Sequence, residues 1–176
     1  IDRDRAWKES ILGKLSSYRR ASCYEEVSAL VARCLDADCE SIAQWNVSAL
    51  QSVCEYHGIS FDYEYSSDLA YDRTAITHPG QWALETASYL GASDYVNPAG
   101  GHEIFRAAEF SARGVALRFL RPALQPYAQG RDGFVGALSI VDVMMWNPVA
   151  KIRDMLDAYA IIDHAQAQAG PPYAQS

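Results

Sequence analysis

The stretch 93–120, SDYVNPAGGHEIFRAAEFSARGVALRFL, decides the fold. Its opening, SDYVNP, reads as a short strand stopped by Pro98, and the Gly100-Gly101 pair follows as a turn. Residues 102–112 keep helical spacing up to Gly114, and VALRFL then reads as a second strand. Strand, helix, strand in that order is a βαβ unit, and its two strands lie parallel because the crossover carries the chain back to the same end. Upstream, ISFDYEY (59–65) alternates Ile59, Phe61, Tyr63 and Tyr65 with polar residues, the period of a strand with one buried face. A loop and a helix near 80–90, closed by Gly91, join the two stretches. The expected class is therefore α/β: a small, mostly parallel sheet from βαβ-type units, flanked by helices and preceded by a helical segment.

That segment comes from three apolar stripes at helical spacing. Residues 4–20 carry Trp7, Ile11, Leu15 and Tyr18, and residues 24–36 carry Val27, Leu30, Val31, Cys34 and Leu35. Residues 40–57 carry Ile42, Ala49, Leu50, Val53 and Cys54, and Gly58 caps the third helix. After residue 120 the connection RPALQPYAQGRDGF (121–134) is long and rich in Pro and Gly, a length usually reserved for functional or mobile loops. Two helices close the chain, the second starting at Asn147-Pro148 with a stripe through Ile152, Met155, Leu156, Tyr159 and Ile162. The expected organisation is one domain over 1–165, helical over 1–58 and α/β over 59–165, with a flexible tail at 166–176.

Bulk properties exclude several function classes. Of 176 residues, 15 are Lys or Arg and 22 Asp or Glu, a net charge of −7. Without a clustered basic surface, a nucleic-acid partner is not expected. No apolar run reaches the roughly 18–20 residues of a membrane span, so no membrane partner is expected either. Cys23, Cys34, Cys39 and Cys54 show no C-x-x-C spacing and read as free thiols of a cytoplasmic protein, with a disulfide or an incidental metal as the alternatives. His57, His78, His102 and His164 form no H-E-x-x-H, so no metal site is expected, and no dinucleotide or Walker fingerprint calls for a cofactor. The chain opens on Ile1 rather than Met, from which an upstream segment is expected.

Candidate chemistry gathers around loops and helix starts. In GALSIVDVMMWNP (136–148), Asp142 is one acid in an apolar run. A buried carboxylate without partners costs several kcal/mol, so two compatible readings stand. Ser139 and Asp142 form a relative of the capping box, or Asp142 works in a site at a helix start. Gly100 and Gly101 are either a structural turn or a place where the backbone approaches a ligand. Asn46 lies between Ile42 and Leu50 on an apolar stripe, where a polar group must find a backbone or ligand partner. Ser66, Ser67 and Asp68 follow the presumed first strand, as a turn or as a ligand site beyond a strand's carboxyl end. Tyr127 and Gln129 sit in the long loop, anchored by Phe134, and suit sugars or planar groups. No nucleophile–base pair is visible.

These motifs, taken together, resemble the WbqC-like family. The resemblance runs through Leu90–Ala92, Tyr95, Asn97, Pro98, Gly100, Gly101, Gly114, Leu117, Phe119, Tyr127, Gln129, Phe134 and Leu138–Asp142. Asn46 and the Ser66-Ser67 pair match as well, over roughly residues 5–160. Family members also carry a further N-terminal segment absent from this sequence, so a companion chain supplying it, or a homo-oligomer, is expected. The resemblance implies surface-polysaccharide (O-antigen) or natural-product biosynthesis: transfer of a small acyl or aminoacyl group, such as glycine, from an activated donor onto a sugar-type acceptor. On that reading Gly100, Gly101 and the helix start at Ser139 bind an anionic part of the donor. Tyr127 and Gln129 position the acceptor, Asn97, Asn46 and Ser67 contribute binding contacts, and Asp142 orients or deprotonates the substrate nucleophile. The alternative is a non-catalytic ligand-binding or scaffold protein of a biosynthetic assembly.

Overall fold

The computed structural model describes residues 5–74 and 76–175; Asp4 of the first predicted helix and Ala75 of the predicted loop lie outside them. The chain forms two compact units, residues 1–62 with 125–155, and residues 63–124 with 156–176. The units interleave along the sequence, a different division from the contiguous helical and α/β parts expected.

The first unit is helical. It contains α1 (Arg5–Lys14), which tightens into a 3₁₀ turn at Leu15–Tyr18, then α2 (Tyr24–Asp36), α3 (Ile42–Tyr56) and α6 (Ile140–Trp146), with α7 (Val149–Leu156) following. Its core is Leu15, Ala21, Val27, Leu30, Met144, Met145 and Ile152. Apolar spacing on α2 aims Val27, Leu30 and Leu35 inward, while Glu25 and Glu26 meet the positive end of its dipole. Ser41 starts α3 with a capping box, its hydroxyl accepting from Gln44 N while Gln44 answers the Ser41 amide.

The face of α3 differs from the expected stripe. Ile42 and Leu50 are 65% and 53% exposed. The helix instead turns Trp45, Val53 and Tyr56 inward: Trp45 donates to the Cys34 carbonyl, and Val53 and Tyr56 pack on the core. Asn46 therefore stands on the solvent side and needs no buried partner. His57 caps the C-terminus of α3, followed by Gly58 at φ +64°. A Cβ at Gly58 would strike the Arg153 guanidinium, which donates to the His57 carbonyl at 2.6 Å. His57 is itself buried, and neither ring nitrogen has a partner among the described residues. Burial, then the nearby Arg153 charge, lowers its pKa.

The second unit holds the sheet. It comprises α4 (Pro79–Tyr89), β1 (Asp94–Pro98), α5 (Ala107–Ala112), β2 (Ala116–Leu124), β3 (Tyr159–Ile162), α8 (His164–Ala169) and β4 (Ala174–Gln175). β1 and β2 pair in parallel with Asn97 opposite Phe119, β3 pairs antiparallel to β2, and β4 pairs parallel to β2 at Ala123–Leu124. The expected small, mostly parallel α/β sheet thus forms, around a core of Leu84, Ala87, Ala99, Phe105, Phe110, Val115, Phe119 and Ala167.

Several differences from expectation have physical causes. Residues 59–65 form no strand among the described residues: Ile59 and Tyr63 are exposed, and the stretch carries the chain from one unit to the other. The last helix stops at Leu156, and Tyr159–Ile162, rich in aromatic and β-branched residues, becomes β3. Asn147 accordingly does not cap that helix; its side chain turns back to donate to the Val143 carbonyl. Finally, β2 runs on through Pro122 into the expected loop. Ala116 N bonds Ser93 O on the β1 side and Ala123 N bonds Ala158 O on the β3 side. By alternation, Pro122 faces the β1 side, where β1 has already ended opposite Leu120, so its missing N–H breaks no ladder bond. The predicted tail likewise begins inside α8, where Ala167 is buried in the core.

Candidate functional site

The sequence-predicted residues fall into two groups, one in each unit. In the first unit the chain builds a buried polar cluster around Asp142, whose residue is 4% exposed. Tyr127 Oη donates to Asp142 Oδ1 at 2.6 Å, Gln129 Nε2 donates to the same oxygen at 3.1 Å, and Tyr18 Oη donates to Oδ2 at 2.9 Å. Asp142 is not the reciprocal arm of a capping box. Ser139 caps α6 alone, its hydroxyl accepting from Val141 N at 3.2 Å. The carboxylate is directed at the loop and at the end of α1's 3₁₀ turn.

Gln129 holds the loop as well as the acid. Its Oε1 accepts from Val135 N at 2.9 Å while its Nε2 donates to Val135 O at 3.0 Å, which fixes the orientation of the carboxamide and closes residues 129–135 into a ring. Glycines let the ring turn. Gly130 has φ +65° and Gly133 φ +78°. A Cβ on Gly130 would stand 2.7 Å from Cζ2 of Trp146 and closer still to Cη2, so the indole of α6 lies directly on the loop backbone. Phe134 packs edge-on against the Tyr127 ring, centroids 5.3 Å apart.

Burial, and then the hydrogen bond to Asp142, push the Tyr127 phenol up to about 12. Tyr18 is raised for the same reasons, with Arg131 acting against the rise. Both phenols are therefore neutral donors to the carboxylate near neutral pH. A folded pKa above the ordinary phenol value of 10.0 means stability is complete below pH 10 and is lost as pH rises toward 12, since unfolded phenols ionise first. Tyrosinate absorbance should show a late-titrating phenol that disappears in Tyr127→Phe, with unfolding of the wild type beginning in that window. An unshifted titration in which Tyr127→Phe removes a phenol of ordinary pKa would contradict the burial of Tyr127.

The second group lies in the other unit. Asn97 Oδ1 accepts from Tyr95 Oη at 3.3 Å and its Nδ2 donates to the Pro98 carbonyl at 2.9 Å. A Cβ on Gly101 would come 2.6 Å from Asn97 Nδ2, so that glycine allows the close approach of turn and side chain. Gly100 and Gly101 open a 3₁₀ turn, Ala99–Ile104, rather than a long helix. His102 Nδ1, bonded to the Ala99 carbonyl at 3.0 Å, braces it. Ser67 sits in another 3₁₀ turn, Ser66–Asp68, where its hydroxyl donates to Asp68 at 3.0 Å, and Arg73 donates to the Ser66 carbonyl. No group of three or more metal-ligating side chains occurs among the described residues.

Tyr18 was missed in the sequence. Tyr18 reads as the last apolar position of the first stripe, but a half-buried phenol needs a hydrogen-bond partner, and that was the available signal.

A family model described as the WbqC-like protein family matches residues 1–154. The chain belongs to that family. The match spans both halves of the first unit and most of the second, and the family is associated with polysaccharide or natural-product biosynthesis. No curated protein and no solved structure matches the chain. Among the described residues, no helix is long and apolar enough to cross a membrane.

Proposed function

We propose that this WbqC-like protein is a biosynthetic transferase that moves a small acyl or aminoacyl group from an activated donor onto an amino or hydroxyl group of a sugar-type acceptor. One observation carries the reading: Asp142 is a buried carboxylate held by three neutral donors and by no cation in hydrogen-bond range among the described residues. A carboxylate offers roughly four lone-pair sites; three are taken, and the fourth, on Oδ2, suits a substrate N–H or O–H. In the reaction the acceptor nitrogen or oxygen bonds to the donor's carbonyl carbon, and the bond from that carbon to the leaving group breaks. Asp142 takes the nucleophile's proton and returns it to the leaving group or to solvent. Tyr127, Gln129 and Tyr18 hold the carboxylate in place.

A second reading has its own observation in support. The donors on Asp142 come from the loop and from the 3₁₀ turn, so the acid is also an internal clip, as a non-catalytic binding protein would need. Asp142→Asn separates the two. Thermal unfolding of the intact protein against nucleotide-sugars, nucleotides and aminoacyl-adenylate analogues identifies a ligand, since saturation at about 100 times Kd stabilises by about 2.7 kcal/mol. Transfer from that donor is then followed by product mass. The transferase reading expects Asp142→Asn to fold, bind and lose turnover by about 10²-fold or more. Turnover within a few-fold of wild type, or a bound ligand that is never transferred, supports the clip.

A further inference from the structure

We infer that Arg131 is the anion-recognition residue of this site, gripping an oxyanionic group, phosphate or carboxylate, of the donor. The inference rests on the transferase reading and adds the chemistry of its donor. Arg131 lies in the ring closed by Gln129 and Val135, between two glycines of positive φ, and its Nη2 stands 3.5 Å from Gln129 Oε1. The other end of the same carboxamide donates to Asp142. Gln129 is thus interposed between a guanidinium and a carboxylate, its oxygen toward the cation and its NH₂ toward the anion. The two charges form no direct ion pair with each other.

The guanidinium is exposed and forms no ion pair among the described residues, as is also true of Arg19, Arg20 and Arg33; what sets Arg131 apart is its contact with the carboxamide that donates to Asp142. Its five donors and fixed fork match phosphate and carboxylate oxygens. The helix start at Ser139, the place expected for an anion, is unsuited to one. α6 has seven residues, Ser139 Oγ already takes the Val141 amide, and Asp142 puts a negative charge in the first turn.

Calorimetric titration of the intact protein with inorganic pyrophosphate and with malonate tests this, on wild type, Arg131→Gln and Arg131→Lys. Arg131→Gln changes an exposed side chain and should unfold at the wild-type temperature. Wild type should bind one of the two anions, and the tighter one tells a phosphoryl from a carboxylate group. Arg131→Gln should weaken binding about tenfold or more, and Arg131→Lys should restore only part, a point charge in place of a fork. Equal binding by Arg131→Gln and wild type, or no binding of either anion at millimolar concentration, overturns the inference. The two readings fail separately. Arg131-dependent anion binding without any transfer defeats only the transferase reading. Transfer that needs Asp142 while Arg131→Gln leaves the donor's KM unmoved defeats only the role of Arg131.

Discussion

Asp142→Leu should destabilise the first unit by about 3–5 kcal/mol, the range for removing one partner from a buried charged network. The two side chains branch at the same carbon, and the main loss is polar. Tyr127 Oη, Gln129 Nε2 and Tyr18 Oη all lose the oxygen to which they donate. Each buried donor left without a partner costs about 1–3 kcal/mol. Tyr127 and Gln129 are 9% and 5% exposed, so water cannot easily replace the lost acceptor. Tyr18 is half-buried and recovers part of its share. Asp142→Asn should cost less, about 1–2 kcal/mol, because the amide oxygen still accepts and a phenol can reverse its role. Denaturant unfolding should also show coupling between Asp142→Leu and Tyr127→Phe, with the double variant less destabilised than the sum of the singles. Strict additivity would mean that the 2.6 Å bond between them is not formed in solution.

The sequence made the local parts of this architecture legible and concealed those that depend on distant partners. The βαβ unit over 93–120 could be read because each element carries its own signal: Pro98 stops a strand, Gly114 ends a helix, and Phe119 sits in a short apolar run. β3 could not be read in the same way. Tyr159 and Ile162 also continue the helical spacing of Ile152 and Met155, and only the free edge of β2 resolves the ambiguity. The opposite holds at 59–65, where alternation yields no strand among the described residues and Ile59 and Tyr63 stay exposed. In the site, Tyr127, Gln129 and Asp142 lie within 15 residues of one another and share one motif-rich stretch. Tyr18 lies 124 residues from Asp142 and looks like one more core position. Asn46 shows how a stripe misleads: the apolar residues flanking it are exposed, so its surroundings were solvent.

Gly130→Ala should be the most damaging single-methyl addition to the site loop, with an expected loss of about 2–4 kcal/mol from strain and overpacking together. At φ +65° an L-residue is already disfavoured by about 1 kcal/mol or more. The added carbon would also enter the Trp146 ring, 2.7 Å from Cζ2, where a rigid indole cannot flex away as a long aliphatic tip would. Trp146 is fixed by its own surroundings, tilted against Tyr18 at 6.4 Å between centroids and packed on the helical core. The loop must therefore move instead, and Gln129 with it. The Val135 ring of hydrogen bonds and the Gln129 contact to Asp142 should loosen together, so amide exchange should accelerate at Val135. Gly133→Ala supplies the contrast. Its φ is +78°, but a Cβ there meets nothing within 4 Å, so only the backbone strain is felt, about 1 kcal/mol. If the two variants are equally destabilised, the indole does not lie on the loop, and the packing that holds Gln129 between Arg131 and Asp142 is wrong.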